Sequence, residues 1–169
     1  GLELSAFEFF SQSALEKVIA HRGHAAPFQA VAPFYALLEF EPVDEAVVDK
    51  AMQLFQHCVD QGWVLDGVIS HSVAQAQNLW KLREDISETL WRWQPYKNDI
   101  SVRISRMPDF IFQIDQLVAR QYPDFEVVWY GHIGDGNLHL NILKPECLSL
   151  DQFQAKCVNV SNEIGQMLA

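Results

Sequence analysis

Gly131-His132-Ile133-Gly134-Asp135-Gly136-Asn137-Leu138-His139-Leu140-Asn141 is the stretch on which the reading of the fold turns. Asp-Gly between two strand-like runs signals a tight hairpin with a two-residue type I′ turn. With Asp135 and Gly136 at the tip, Gly134 faces Asn137, Ile133 faces Leu138 and His132 faces His139. Directly opposed residues share a face of the ribbon, with Cβ atoms ~4.5–5.5 Å apart. Two imidazoles that close can hold one metal ion, each through a nitrogen at about 2.0–2.1 Å for zinc. Alternation along the strands adds Tyr130 and Asn141 to that face. The plainer reading is a turn whose histidines pair only with each other. The glycines favour a site, because they clear side chains from around the histidines.

Working outward, strands alternate with helices. Ser5–Phe10 reads as a strand, and Ser13-x-x-Glu16 as a capping box for a helix to about His21. Phe34–Glu41 is strand-like. Asp44 opens a helix to about Gln61, with Val47, Val48, Ala51, Leu54, Phe55 and Cys58 on one stripe. Val64–Ser70 reads as another strand. Ser72-x-x-Gln75 caps a long helix to about Trp93, and Ile100–Ser105 alternates as a strand. Pro108 suits the first turn of a helix to about Gln121. Glu126–His132 and Asn137–Leu143 are the hairpin strands, and Ser149-x-x-Gln152 caps a terminal helix. The expected class is α+β: a mostly antiparallel sheet with helices on one face, in the manner of duplicated ferredoxin-like units. A doubly wound parallel sheet is the rival, but no glycine-rich turn follows an early strand.

The bulk numbers set bounds. At 169 residues the chain reads as one domain, with 49% hydrophobic and 20% charged residues, ordinary for a globular protein. Twelve basic against 22 acidic residues give a net charge of −10, which argues against a nucleic-acid partner. No run approaches the ~20 apolar residues of a membrane span. Cys58, Cys147 and Cys157 lack metal-ligand spacing and read as reduced, mostly buried thiols. That composition points to a reducing, cytoplasmic setting. The chain starts on Gly1 without Met and stops inside an expected helix, as a piece of a longer protein would.

A second constellation lies on the helix after Ser72. Arg83 and Ser87 are four residues apart and share a face. A guanidinium fork beside a hydroxyl suits a carboxylate. The competing reading pairs Arg83 with Glu84, Asp85 or Glu88 on a solvated surface. Lys97 is either a second cation for the same site or a surface lysine.

These motifs together carry a resemblance. Trp80-x-Leu82-Arg83-Glu84-x-Ile86, then Lys97-x-Asp99, then the Gly131–Asn141 stretch resemble the C-terminal domain of FAD-linked oxidases. That group includes D-2-hydroxyglutarate dehydrogenase, D-lactate dehydrogenase and the glycolate oxidase D subunit. Leu4-Ser5-Ala6-Phe7-Glu8-Phe9 and Ala74-Gln75 are similar to its hydroxyglutarate branch. The resemblance implies that His132 and His139 bind a divalent metal, commonly zinc. It implies that Arg83, Ser87 and Lys97 hold substrate carboxylates, with Asn141 nearby. It implies oxidation of a D-2-hydroxy acid by hydride transfer to FAD, held by a separate flavin domain of the same protein. Arg83 with Lys97 leans toward a dicarboxylate such as 2-hydroxyglutarate or malate.

The family's Ser-x-Glu-His-Gly segment, with a third metal ligand and the expected base, would fall beyond residue 169, so no catalytic base is assigned and the isolated chain is expected to be inactive. Homo-oligomers are compatible with everything above. The alternatives are a free-standing ferredoxin-like module that binds a metal or small acid without catalysis, and a metal-dependent hydrolase using the His pair and Asp135. Asp135 is more simply a turn residue.

Overall fold

The structure is a computed structural model that describes residues 2–42 and 46–168. Five strands form one sheet in the order β2-β1-β4-β5-β3: β1 Leu4–Ser11, β2 Phe34–Phe40, β3 Tyr96–Ser101, β4 Glu126–His132 and β5 Asn137–Leu143. Every neighbouring pair is antiparallel, which excludes the parallel rival. The helices are α1 Gln12–Arg22, α2 Val47–Asp60, α3 Val73–Glu84, α4 Ile86–Leu90, α5 Met107–Gln121 and α6 Leu150–Leu168. The α+β class is as expected, and ferredoxin-like duplication is consistent with it.

Alternation along the strands divides the core in two, because neighbouring residues point to opposite faces. Phe9, Trp129, Leu138, Leu140 and Ile142 meet Ile114 and Val118 of α5 and Phe153, Cys157 and Val160 of α6. Phe10, Val128, Tyr130 and Leu143 meet Ala14, Leu15 and Val18 of α1, Leu82 of α3, and Ile86 and Leu90 of α4. Helices thus lie on both faces. The second set covers only part of its face, leaving the hairpin end for polar groups.

The hairpin strands lie at the expected residues, but their register does not. His132 pairs with Asn137, and His139 with Tyr130. The Gly136 amide donates to the Ile133 carbonyl (3.2 Å), so the turn is centred on Gly134-Asp135. A type I′ turn needs positive φ at both central residues. Here only Gly136 has it, at +73°, while the Asp135 carboxylate accepts the Asn137 amide at 3.0 Å. The pairing shifts by two residues, which preserves the faces, so His132 and His139 become diagonal neighbours.

Other expectations fail for local reasons. Ser13 lies inside α1, whose N-cap is Ser11, so the first capping box is not formed. The Ser149–Gln152 box is reciprocal, with amide-to-side-chain bonds of 3.1 and 3.3 Å. Ser72 caps α3 by accepting the Gln75 amide at 3.2 Å. The long helix to Trp93 is interrupted at Asp85 and ends in a 3₁₀ turn over Trp91–Trp93. Gln94, at φ +47°, then turns the chain so that β3 begins just after Pro95, earlier than alternation suggested. Val64–Ser70 is not a strand: Asp66 takes the Gly67 amide at 2.7 Å, a local bond that competes with a ladder. The expected Asp44 cap lies outside the described residues. The apolar stripe of α2 exists, but α2 has no buried residue.

The thiols are unpaired. Cys157 is buried, Cys58 half-buried and Cys147 exposed, so burial holds fully for Cys157 alone. Burial pushes the Cys157 thiol up to about 12.

On α5, Asp115 accepts the Trp129 indole N–H at 2.7 Å. Burial raises its carboxyl above the usual range, and the Trp129 bond opposes that rise. A raised folded-state pKa gives stability that is full below the unfolded value and is lost as pH rises through the folded one. Asp115→Asn keeps an acceptor for Trp129 and removes the partly buried charge. It is expected to raise the melting temperature at neutral pH and to change little below pH ~3.9, the ordinary aspartate value. Thermal melts of both proteins at the two pH values check this.

Candidate functional site

The polar face is assembled by register. Antiparallel pairing sets Glu8 of β1 beside His132, and Asp99 and Lys97 of β3 beside His139 and Asn141. Glu8, His132, His139, Asp99, Lys97 and Asn141 therefore share one face with Tyr130.

Both imidazoles are held from behind. His132 Nδ1 lies 2.7 Å from Glu8 Oε1, and His139 Nδ1 lies 2.5 Å from Asp99 Oδ1. A carboxylate only accepts, so each Nδ1 donates its proton and leaves Nε2 as the free nitrogen. The ring centroids are 5.3 Å apart, edge to face. A carboxylate on one ring nitrogen is the usual support of a metal-binding histidine. The donor set therefore fits a divalent ion taken through two Nε2 atoms. No group of three or more His, Cys, Asp or Glu side chains converges on a metal position among the described residues. Two imidazole nitrogens fall one short of the three protein ligands typical of catalytic zinc.

Arg83 is brought to the same place from α3. It is buried, with Nε 2.9 Å from Glu8 Oε2 and its guanidinium 4.7 Å from the Tyr130 ring centroid. Its Nε–H is off the line to the carboxylate and makes no hydrogen bond, so charge holds the pair. Burial lowers the Arg83 pKa, while Glu8 beside it favours the charged form. The surface-pair reading fails: Asp85 binds His24 at 2.8 Å and Glu88 binds Arg22 at 2.9 Å. Tyr130 also touches His139, with centroids 4.8 Å apart.

Ser87 and Lys97 form the adjoining cluster. Lys97 Nζ donates to Ser87 Oγ at 3.1 Å and sits 4.7 Å above the Trp91 ring. Lys97 pairs in register with Asn141, which is 1% exposed. Asn141 donates to the His139 carbonyl at 3.3 Å, while its Oδ1 is buried without a hydrogen-bond partner, as is Asn137 Oδ1. Unpaired buried acceptors are costly, and a bound water or ligand would complete the bonding.

All the site residues expected from sequence thus lie on one side of the sheet. Residues 1–162 match the family described as FAD linked oxidases, C-terminal domain. The chain belongs to this family.

The chain is 59% identical over 160 residues to the D-2-hydroxyglutarate dehydrogenase of Stutzerimonas stutzeri (strain A1501), covering 95% of this chain and 34% of that protein. It is 54% identical over 167 residues to the protein of the same name from Xanthomonas citri pv. viticola, covering 99% and 35%. It is 39% identical over 144 residues to the mitochondrial D-2-hydroxyglutarate dehydrogenase of Bos taurus, covering 82% and 25%. The chain spans about a third of the length of the first two relatives. No helix among the described residues is long and apolar enough to cross a membrane.

Within this FAD-linked oxidase domain, reasoning from sequence missed the roles of Glu8 and Asp99. The available signal was an acid between Phe7 and Phe9 in an apolar strand, and the alternation of Lys97 with Asp99.

Proposed function

We propose that the protein carrying this chain oxidises a D-2-hydroxy acid to the 2-oxo acid, and that this chain is its substrate- and metal-binding part. The observation that carries the reading is the His132–His139 pair, its Nε2 atoms free, beside a buried Arg83. It is reinforced by relatives whose names specify D-2-hydroxyglutarate.

The division of labour follows from charge. Arg83 takes one carboxylate through the N–H groups that Glu8 leaves free. Lys97 and Ser87 take a second carboxylate, which makes a dicarboxylate the preferred substrate class. Asn141 Oδ1 accepts from the substrate hydroxyl or from bound water. His132 and His139 would hold a divalent ion, zinc by donor type, through Nε2. When bound, the ion would supply a Lewis acid for the 2-hydroxyl, and FAD would supply the hydride acceptor. We assign the flavin to another part of the protein, a reading supported by the chain spanning only about a third of its relatives' length. No described residue is assigned as the base that takes the hydroxyl proton.

Stopped-flow bleaching of the flavin in the intact protein tests the reading. D-2-hydroxyglutarate should reduce it and the L enantiomer should not. His139→Ala should lower kcat/KM by about a hundredfold or more, the several kcal/mol that a lost Lewis acid costs. Arg83→Lys should raise KM, because a point charge replaces a fork. Metal binding with no flavin reduction by any D-2-hydroxy acid would favour the non-catalytic module. Equal turnover of D-lactate would remove the two-cation argument.

A further inference from the structure

Among the described residues, Glu8 is the one buried carboxylate, 6% exposed, in a strand segment whose neighbours are Phe7, Phe9 and Phe10. Packing alone would be served better by an apolar residue, since a buried charge is costly unless its partners are well placed. Its two oxygens serve two different groups. Oε1 takes His132 Nδ1 at 2.7 Å, and Oε2 faces Arg83 Nε at 2.9 Å. Asp99 differs: its side chain is 76% exposed and it holds His139 alone.

We propose that Glu8 is a positioning residue, a single buried carboxylate that sets both the nitrogen His132 presents and the direction of the Arg83 fork. Through Oε1 it fixes the Nδ1–H tautomer, so that Nε2 carries the lone pair toward the polar face. Through Oε2 it occupies the Nε side of Arg83 and turns the terminal amino groups outward. Because the hydrogen bond to His132 and the ion pair with Arg83 both leave one carboxylate on β1, the two groups are held in one register. The identity of what those groups bind rests on the function proposed above. The clamp itself does not.

The experiment separates the hydrogen bond from the ion pair. Glu8→Gln keeps an oxygen acceptor for His132 and removes the charge that holds Arg83, while Glu8→Ala removes both. In the intact, metal-stripped protein labelled with 15N at histidine, long-range 1H–15N spectra at fixed pH report the His132 tautomer, assigned with His132→Gln. Wild type and Glu8→Gln should show Nδ1–H. Glu8→Ala should lose that preference. Zinc calorimetry should show affinity falling about 10–100-fold in Glu8→Ala, the usual scale for a partner behind a ligand, and staying near wild type in Glu8→Gln. The KM for D-2-hydroxyglutarate should rise in both variants, with kcat nearly unchanged in Glu8→Gln, the pattern of lost uniform binding.

A purely structural Glu8 would lower the melting temperature without producing this split. Nε2–H in wild type, or an unchanged tautomer and zinc affinity in Glu8→Ala, overturns the proposal. If Glu8→Ala does not fold, loss of Nδ1–H or an unchanged KM in Glu8→Gln overturns it instead. If the tautomers behave as expected but wild type binds no zinc, the clamp stands and the metal reading falls.

Discussion

Replacing Arg83 by alanine should destabilise the fold by about 3–5 kcal/mol, the cost of breaking a buried ion pair from one side. The side chains of Arg83 and Glu8 are only 9% and 8% exposed, so water cannot take over the lost partner. Glu8 keeps the His132 N–H, which places the loss toward the lower end. The stacking of the guanidinium on Tyr130, at 4.7 Å, adds to it. The double replacement Arg83→Met with Glu8→Leu should recover most of the loss, because apolar substitutes for a buried pair are often neutral or better. Urea unfolding of the wild type, Arg83→Met, Glu8→Leu and the double gives the coupling directly. A single-variant loss below about 1 kcal/mol would mean that the pair is solvated, as exposed pairs are. If Arg83 binds substrate as proposed, substrate binding should fail in the double even where stability returns.

The hairpin and its neighbours show how far sequence carries such a site. The strands Glu126–His132 and Asn137–Leu143 are written in their alternation and were placed to the residue. Their register is not written there. Gly134 and Gly136 both flank Asp135, and either allows a turn. The choice falls to the contact of Gly136 with the Val102–Ile104 segment, which is remote in sequence. Parity survived the slip, so the shared face of the histidines was legible while their direct opposition was wrong.

Glu8 and Asp99 were not singled out because their partners are 124 and 40 residues away. Local reasoning sees an acid in a strand and assigns it to solvent. The same limit produced the surface pairing offered for Arg83, since its real partner lies on the first strand. Long-range pairing also decides Val64–Ser70, where strand-like composition meets no ladder. The second core was hidden for a simpler reason. Phe9 and Phe10 are equally apolar, so that stretch reads as hydrophobic without revealing that each side has its own helices.

The three hairpin glycines should respond to alanine in a fixed order. At Gly134 an added Cβ meets nothing within 4 Å and φ is not positive, so the change should stay within about 0.5 kcal/mol. At Gly136, φ is +73° and the Cβ would lie 2.1 Å from the Val102 carbonyl oxygen, adding backbone strain to a clash. At Gly131 the Cβ would lie 2.2 Å from the Asn137 carbonyl oxygen and 3.0 Å from Phe9. Neither backbone can yield there without parting the strands, because Gly131 is paired on both sides, to Phe9 and to Leu138. Gly131→Ala should therefore cost about 3 kcal/mol or more, at or beyond the upper end of overpacking. The damage is also functional, since His132 and Asn137 form the next rung. Opening that rung separates the two imidazoles, so on the proposed metal reading zinc affinity should fall in Gly131→Ala and hold in Gly134→Ala. Denaturation and calorimetry on the three variants check both orders. Equal stability of Gly131→Ala and Gly134→Ala would show that the strands do not approach this closely. The His132–His139 geometry, which depends on that approach, would then have to be rebuilt.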